Sequence, residues 1–197
     1  MGRKSLKETR QKEIIKGFYM VAKKQGLENT SIAKLAAHLR VNPSLIMHYF
    51  SSRENLLNAL VDFIRESYSG IYEVNDGKID TKQKLLKLID NLFSRKWNKL
   101  FDDGVFYSCY ALTYRNKNFR SGYKKMHEAL HEMLLNSLRQ AAANHVIPDE
   151  NIEEKVTIIF SIIDGAYYFL GMVSDKKEIQ AKENLYKKYV LELLGLK

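Results

Sequence analysis

The sequence predicts an all-α fold of about nine helices, a bundle of short helices at the N-terminus followed by a larger helical domain. Three observations carry that prediction. Only two prolines, Pro43 and Pro148, interrupt 197 residues. Leu, Lys, Glu, Ala and Ile recur at spacings of three and four, as continuous helices require. Capping residues stand where that spacing breaks.

The first helix is expected from about Ser5 to Gln25, with Ile14, Phe18, Val21 and Ala22 as its apolar stripe and Gly26 ending it. Thr30 or Ser31 then caps a short helix, Ile32 to Leu39. After a tight turn, Asn42 caps a third helix with Pro43 in its first position. Ser51 with Glu54 reads as a capping box for a fourth, Ser52 to about Tyr72. The polar stretch Glu73 to Asp80 reads as a linker. Beyond it, Asp80 with Gln83 caps a helix to about Phe101, and shorter and longer helices follow at Val105 to Tyr114 and Phe119 to His145. Pro148 and Asp149 open a helix to Val173, and Asp175 with Glu178 opens the last, to Leu194.

Charge is distributed unevenly. The net charge is +9, of which residues 1–60 carry +7 and residues 61–197 only +2. A positive field concentrated in the N-terminal bundle points to a phosphate-bearing partner there. Cys109 is the only cysteine, so an internal disulfide is excluded and a reducing, cytoplasmic setting is expected. Met1 to Lys16 lacks the apolar run of a signal peptide. The apolar stretch Val156 to Val173 has Asp164 and Gly165 at its centre, which argues for a buried helix and against a membrane span.

Between Leu35 and Tyr49 the residues fit two helices clamped at an angle. Leu35 and Leu39 face Val41, Ile46 and Tyr49, and Ala36 is small where the helices pass. Neither helix is long enough to be stable alone, so the apolar knot makes the second a rigid probe of the kind that enters a major groove. Its outward residues, Ser44, Leu45, Met47 and His48, suit base edges and thymine methyls, with Tyr49 beside them. Thr30, Ser31, Lys34 and Asn42 around the probe, Arg53 at the next helix N-terminus, and the basic arm Arg3, Lys4 and Lys7 are candidate phosphate contacts.

Thr30-Ser31-Ile32-Ala33-Lys34-Leu35-Ala36, then Val41-Asn42, then Leu45 through Leu56 (Leu-Ile-Met-His-Tyr-Phe-Ser-Ser-Arg-Glu-Asn-Leu) resemble the N-terminal signature of TetR-type transcription regulators. The segment Ile163-Asp164-Gly165 and the helix layout extend the likeness. The resemblance implies a DNA-binding helix-turn-helix domain over residues 1–52 and a ligand-binding and dimerisation domain over 53–197. It also implies a bacterial repressor, dimeric on a palindromic operator and released by a small molecule, without a cofactor. Two positions depart from the pattern. Arg40 stands where the turn usually has glycine, and so must tolerate a left-handed backbone or reshape the turn, at a cost of about 1 kcal/mol. Met47 replaces a tyrosine, leaving His48 or Tyr49 to supply the phosphate hydrogen bond.

His127-Glu128-Ala129-Leu130-His131 matches the H-E-x-x-H pattern of zinc proteases. Its extended form is absent, because Glu132-Met133-Leu134-Leu135 follows, and a third ligand is not evident. A zinc hydrolase therefore stands as the alternative to a regulator, with a helical interaction protein as a third reading. The middle of the chain is rich in aromatics. Trp97, Phe106, Tyr110 and His127 are the candidate lining of a ligand pocket, apolar with a few polar handles. The last two helices are the expected dimer surface, with Gly165, Ala166 and Gly171 allowing close approach and Leu185, Tyr189, Val190 and Leu193 presented by the final helix.

Overall fold

The computed structural model describes residues 3–72, 77–94 and 101–196, all helix and connecting turns. The side chains of Arg3 and Lys4 and the whole of Trp97 lie outside the described residues, as do residues 73–76, half of the expected linker. In chain order the helices are α1 (Arg3–Gln25), α2 (Ile32–Leu39), α3 (Pro43–Phe50), α4 (Arg53–Ser69), α5 (Lys82–Phe93), α6 (Asp103–Leu112), α7 (Lys117–Ala143), α8 (Ile152–Leu170) and α9 (Lys176–Leu193).

Local chemistry sets most of these boundaries. Ser31, rather than Thr30, caps α2, its hydroxyl accepting from the Lys34 N–H at 3.2 Å. Ser52, rather than Ser51, accepts from the Asn55 N–H at 3.1 Å and starts α4, because Ser51 has a positive φ of 48° that closes α3. Thr81, rather than Asp80, caps α5. That helix stops at Phe93, where Ser94 turns extended, instead of running to Phe101. Asp102 caps α6 two residues earlier than expected, its carboxylate accepting from the Val105 N–H at 3.1 Å. Pro148 precedes α8 without opening it; the helix begins at Ile152, after Asn151 in left-handed geometry with no side-chain cap.

The chain forms two compact units, residues 1–67 with 101–127, and residues 68–100 with 128–197. In the first, α1, α2 and α3 pack on one another around Ile14, Phe18, Leu35, Ala36, Ile46 and Phe50, all buried. Each such Leu or Ile contributes about 1.5 to 3 kcal/mol on removal from water. Gly17 lies where α1 passes close to α2: a methyl there would sit 2.7 Å from Leu39 Cδ2, so any side chain at this position would displace the Leu39 side chain. On its other side α1 holds the start of α6. Tyr19 stacks on Phe101 with ring centroids 4.6 Å apart, its hydroxyl accepts from the Asp102 N–H at 2.9 Å, and Lys23 lies 3.9 Å from the Asp102 carboxylate. Burial, offset in part by that backbone hydrogen bond, raises the Tyr19 hydroxyl above its ordinary range and keeps it protonated.

The second unit has its own core, built from Leu85, Leu88, Leu92, Leu134, Leu138, Val156, Ile159, Val190 and Leu194. Tyr167 ties α8 to the end of α5 by donating to the Leu92 carbonyl at 2.9 Å. Val190 and Ala166, expected on an outer face, are buried in this core. No described helix is long and apolar enough to cross a membrane.

Candidate nucleic-acid interface

The turn between α2 and α3 is closed by backbone hydrogen bonds. Arg40 takes the left-handed conformation, φ 54° and ψ 45°; its N–H donates to the Ala37 carbonyl at 3.3 Å and that of Val41 to the Ala36 carbonyl at 3.0 Å. This is the Schellman pairing usually given to glycine, so the turn keeps its shape and the arginine carries the backbone cost. Asn42 then caps α3, its Oδ1 accepting from both the Ser44 N–H and the Ser44 hydroxyl at 2.9 Å, and Pro43 fills the first helical position.

Helix α3 spans eight residues, about 12 Å of axis, and an α-helix with its side chains is about 10–12 Å across, which a major groove about 12 Å wide admits. Ile46 and Phe50 are buried on its inner side, and Gln11 of α1 reaches the Tyr49 carbonyl at 3.5 Å. Ser44, Met47 and His48 are exposed, and Leu45 and Tyr49 are half-buried. The His48 ring meets the Tyr49 ring edge-on at 5.2 Å. Ser31, Lys34 and Asn42 are exposed on the same head, and Lys34 Nζ donates to the Asn29 carbonyl at 2.8 Å. Among the described residues, Lys7, Lys12, Lys16, Lys24 and Arg40 have no ion-pair partner, so their charge is uncompensated locally.

Two candidate contacts are placed differently from the rest. Thr30 is 1% exposed and its hydroxyl donates to the Gly26 carbonyl at 2.8 Å, bracing the turn after α1. Arg53 is half-buried; its Nη2 donates to the Leu27 carbonyl at 2.9 Å and its Nε to the Thr30 carbonyl at 3.4 Å. Sequence reasoning missed this bracing, together with Gln11, Gly17 and the Tyr19 to Asp102 bond. Only Gly17, a glycine inside a helical run, carried a visible signal.

A second cluster lies on α6 and the start of α7. Tyr123, buried, has the rings of His127 at 5.0 Å, Phe106 at 6.0 Å, Tyr110 at 6.0 Å and Phe119 at 6.2 Å. Phe106 and His127 are half-buried. Tyr110 is 46% exposed, its hydroxyl 2.7 Å from that of Tyr114. The structure thus brings together three of the four ligand candidates, with Tyr123 at their centre. Cys109, behind them, is buried, and burial pushes its thiol up to about 12, so it is no nucleophile near neutral pH.

The H-E-x-x-H histidines take different partners. His127 joins the Tyr123 cluster, whereas His131 meets the Phe160 ring at 5.5 Å and the Thr157 hydroxyl at 3.4 Å. Among the described residues no group of three His, Cys, Asp or Glu side chains could hold a metal ion.

A short helix capped by asparagine, clamped by a buried knot and presenting polar side chains within a cationic head, defines a DNA-binding transcription regulator rather than an enzyme. Residues 14–60 match the family model described as bacterial regulatory proteins, tetR family, and residues 80–196 match the tetracyclin repressor-like C-terminal domain. The chain belongs to the tetR family of regulators. Its fold is shared by a TetR transcription regulator from Haloarcula marismortui, with 18% identity, 95% of this chain and 97% of that one covered, and a TM-score of 0.76. A TetR-family regulator from Cytophaga hutchinsonii has 13% identity, coverage of 96% and 94%, and a TM-score of 0.77. A third, from Saccharomonospora viridis in complex with choline, has 14% identity, coverage of 94% and 96%, and a TM-score of 0.75. No curated protein matches the chain.

Proposed function

We propose that this regulator is a homodimeric cytoplasmic repressor, held on a palindromic operator by residues 1–52 and released by a small molecule bound within residues 53–197. The observation that carries this reading is that α6 bears both the Phe106 and Tyr110 rings of the aromatic cluster and, at its N-terminus, Asp102, which is bonded to Tyr19 of α1. A ligand seated against those rings acts on the helix that is tied to the DNA-reading head. Trp97, which precedes α6 in the chain, is retained from the sequence as a fourth ligand candidate. The choline bound by the Saccharomonospora regulator supports a small organic effector in a protein of this fold.

Dimerisation is proposed through α8 and α9. Ile158, Tyr168 and Phe169 are exposed on α8 and Met172 in the turn that follows it, with Gly165 open beside them, and Leu185 and Tyr189 are exposed on α9. Such an apolar stripe is what two copies of a chain bury against each other around a two-fold axis. Two reading heads then engage half-sites spaced by about one helical turn of DNA, roughly 34 Å, or a multiple of it.

Base contacts are assigned to Ser44, Leu45, Met47 and His48. Phosphate contacts are assigned to Lys4, Ser31, Lys34, Asn42, Tyr49 and Arg53, of which Arg53 also braces the head; Thr30, buried with its hydroxyl committed to the Gly26 carbonyl, is a brace alone. The test is to map the duplex that the purified protein protects, then titrate that duplex in the presence of choline and a panel of small aromatic and aliphatic compounds. An inverted repeat, with an affinity loss of at least about tenfold from a compound whose effect disappears in Phe106→Ala, is expected. A protected site without symmetry, or release that survives Phe106→Ala, overturns the proposal.

A further inference from the structure

Residues 104–127 contain Arg115, Lys117, Arg120, Lys124 and Lys125 and not one Asp or Glu. The +2 of residues 61–197 therefore divides into +5 in this segment and −3 in the remainder. All five cations are exposed. Among the described residues, Arg115, Lys117 and Lys125 have no ion-pair partner.

The corner that carries them is firmly built. Arg120 Nε donates to the Thr113 carbonyl at 2.7 Å, and Asn116 Oδ1 accepts from the Phe119 N–H at 3.0 Å, which joins the end of α6 to the start of α7. Lys117, Arg120 and Lys124 follow at i, i+3 and i+7 and so share one stripe of α7. Beside them Tyr114 is 68% exposed.

The corner belongs to the same compact unit as α1, α2 and α3. Helix α7 meets α4 where a methyl on Gly122 would lie 3.5 Å from Asn58 Oδ1. Asn58 is five residues beyond Arg53, about 7.5 Å along the helix axis, and Arg53 is bonded to the Leu27 and Thr30 carbonyls of the head. An exposed cationic corner whose own segment holds no acid before Glu128, with a phenol beside it and in the same compact unit as the DNA-reading head, has the chemistry of a phosphate contact.

We infer that the α6 to α7 corner is a second DNA-contacting surface, neutralising phosphates that flank the half-site read by α3. The surface adds affinity and salt dependence and carries no base readout, because it offers charges and a hydroxyl with no helix able to enter a groove.

The experiment compares the wild-type chain with Arg115→Gln/Lys117→Gln/Lys125→Gln on duplexes of about 40 and about 16 base pairs, over a range of salt concentrations. Each lost contact removes about 0.9 from the slope of log affinity against log salt, so the variant's slope is expected to fall by about 2 to 3 on the long duplex, with at least about a tenfold loss of affinity. On the short duplex, which lacks the flank, variant and wild type coincide. The pair Lys117→Arg/Lys125→Arg retains the wild-type slope, and Lys117→Gln alone lowers it by about 1 if the triple variant melts early. An unchanged slope on the long duplex overturns the inference, as does an equal fall on both. Loss of binding to polyglutamate with an intact DNA slope assigns the surface to an acidic protein and also overturns it. A wild-type chain indifferent to both duplexes at low ionic strength would instead overturn the DNA-binding role of α3.

Discussion

Helix α3 buries Ile46 and Phe50 and leaves Ser44, Met47 and His48 outside, whereas α8 buries Ile159, Ile163, Ala166 and Leu170 and still exposes Ile158, Tyr168 and Phe169, with Met172 exposed just beyond its end. Both are amphipathic in the sense that one face closes a core. They differ in what the second face offers. On α3 it is mostly short or hydrogen-bonding, suited to a hydrated polyanion; on α8 it sets large apolar side chains among Glu153, Glu154, Thr157, Ser161 and Asp164, with Tyr168 and Phe169 gathered at the C-terminal end, suited to a mixed protein surface. In this molecule the outer face of a helix distinguishes the partner, while the inner face only says that the helix is folded.

The comparison breaks first if α3 is not seated by its knot. Ile46→Ala removes a fully buried side chain and is expected to cost about 2 to 5 kcal/mol in urea unfolding, with loss of DNA binding; a cost near zero would mean that α3 is held by something else. Next, Tyr168→Ser/Met172→Ser should leave each chain folded, convert dimer to monomer in sedimentation equilibrium, and lower operator affinity by at least about tenfold as two linked heads become one. A variant that stays dimeric would move the interface away from α8. Arg53→Lys preserves charge but not the fork that reaches two carbonyls, so stability should fall by about 1 kcal/mol at unchanged salt slope. Full stability in the lysine variant would show that the two carbonyl bonds do not brace the head. Smallest of all, Arg40→Gly relieves the left-handed backbone and should raise the melting midpoint, by an amount worth up to about 1 kcal/mol; a lower midpoint would show that the arginine side chain contributes more than its backbone costs.

Periodicity and capping chemistry made the helices readable, and the strength of the α2 to α3 motif made the head readable to its turn. What stayed hidden depended on the path of the chain in space. Ser51 and Ser52 are chemically equivalent caps in a sequence; only the positive φ at Ser51 decides between them. Asp80 and Thr81 pose the same choice before α5, and the structure resolves it for Thr81. Thr30 and Arg53 looked like phosphate ligands because both are polar and sit beside helix termini. Yet each has a backbone carbonyl within reach, which no spacing rule reveals. Val190 was expected at an outer face because α9 is apolar there, but α5 and α8 cover it. The H-E-x-x-H match illustrates the converse: correct spacing with each imidazole already engaged by a different ring.

Asp102 takes part in three interactions at once: its carboxylate caps α6 at Val105, the same carboxylate lies near Lys23, and its N–H is held by Tyr19. Two of those partners sit on α1, so unwinding the first turn of α6 would sever them together. If an effector acts through this residue, thermodynamic reciprocity follows: occupancy of the operator must weaken the effector's hold by the same factor by which the effector weakens the operator's. The regulator would then report on DNA to its ligand as faithfully as on its ligand to DNA.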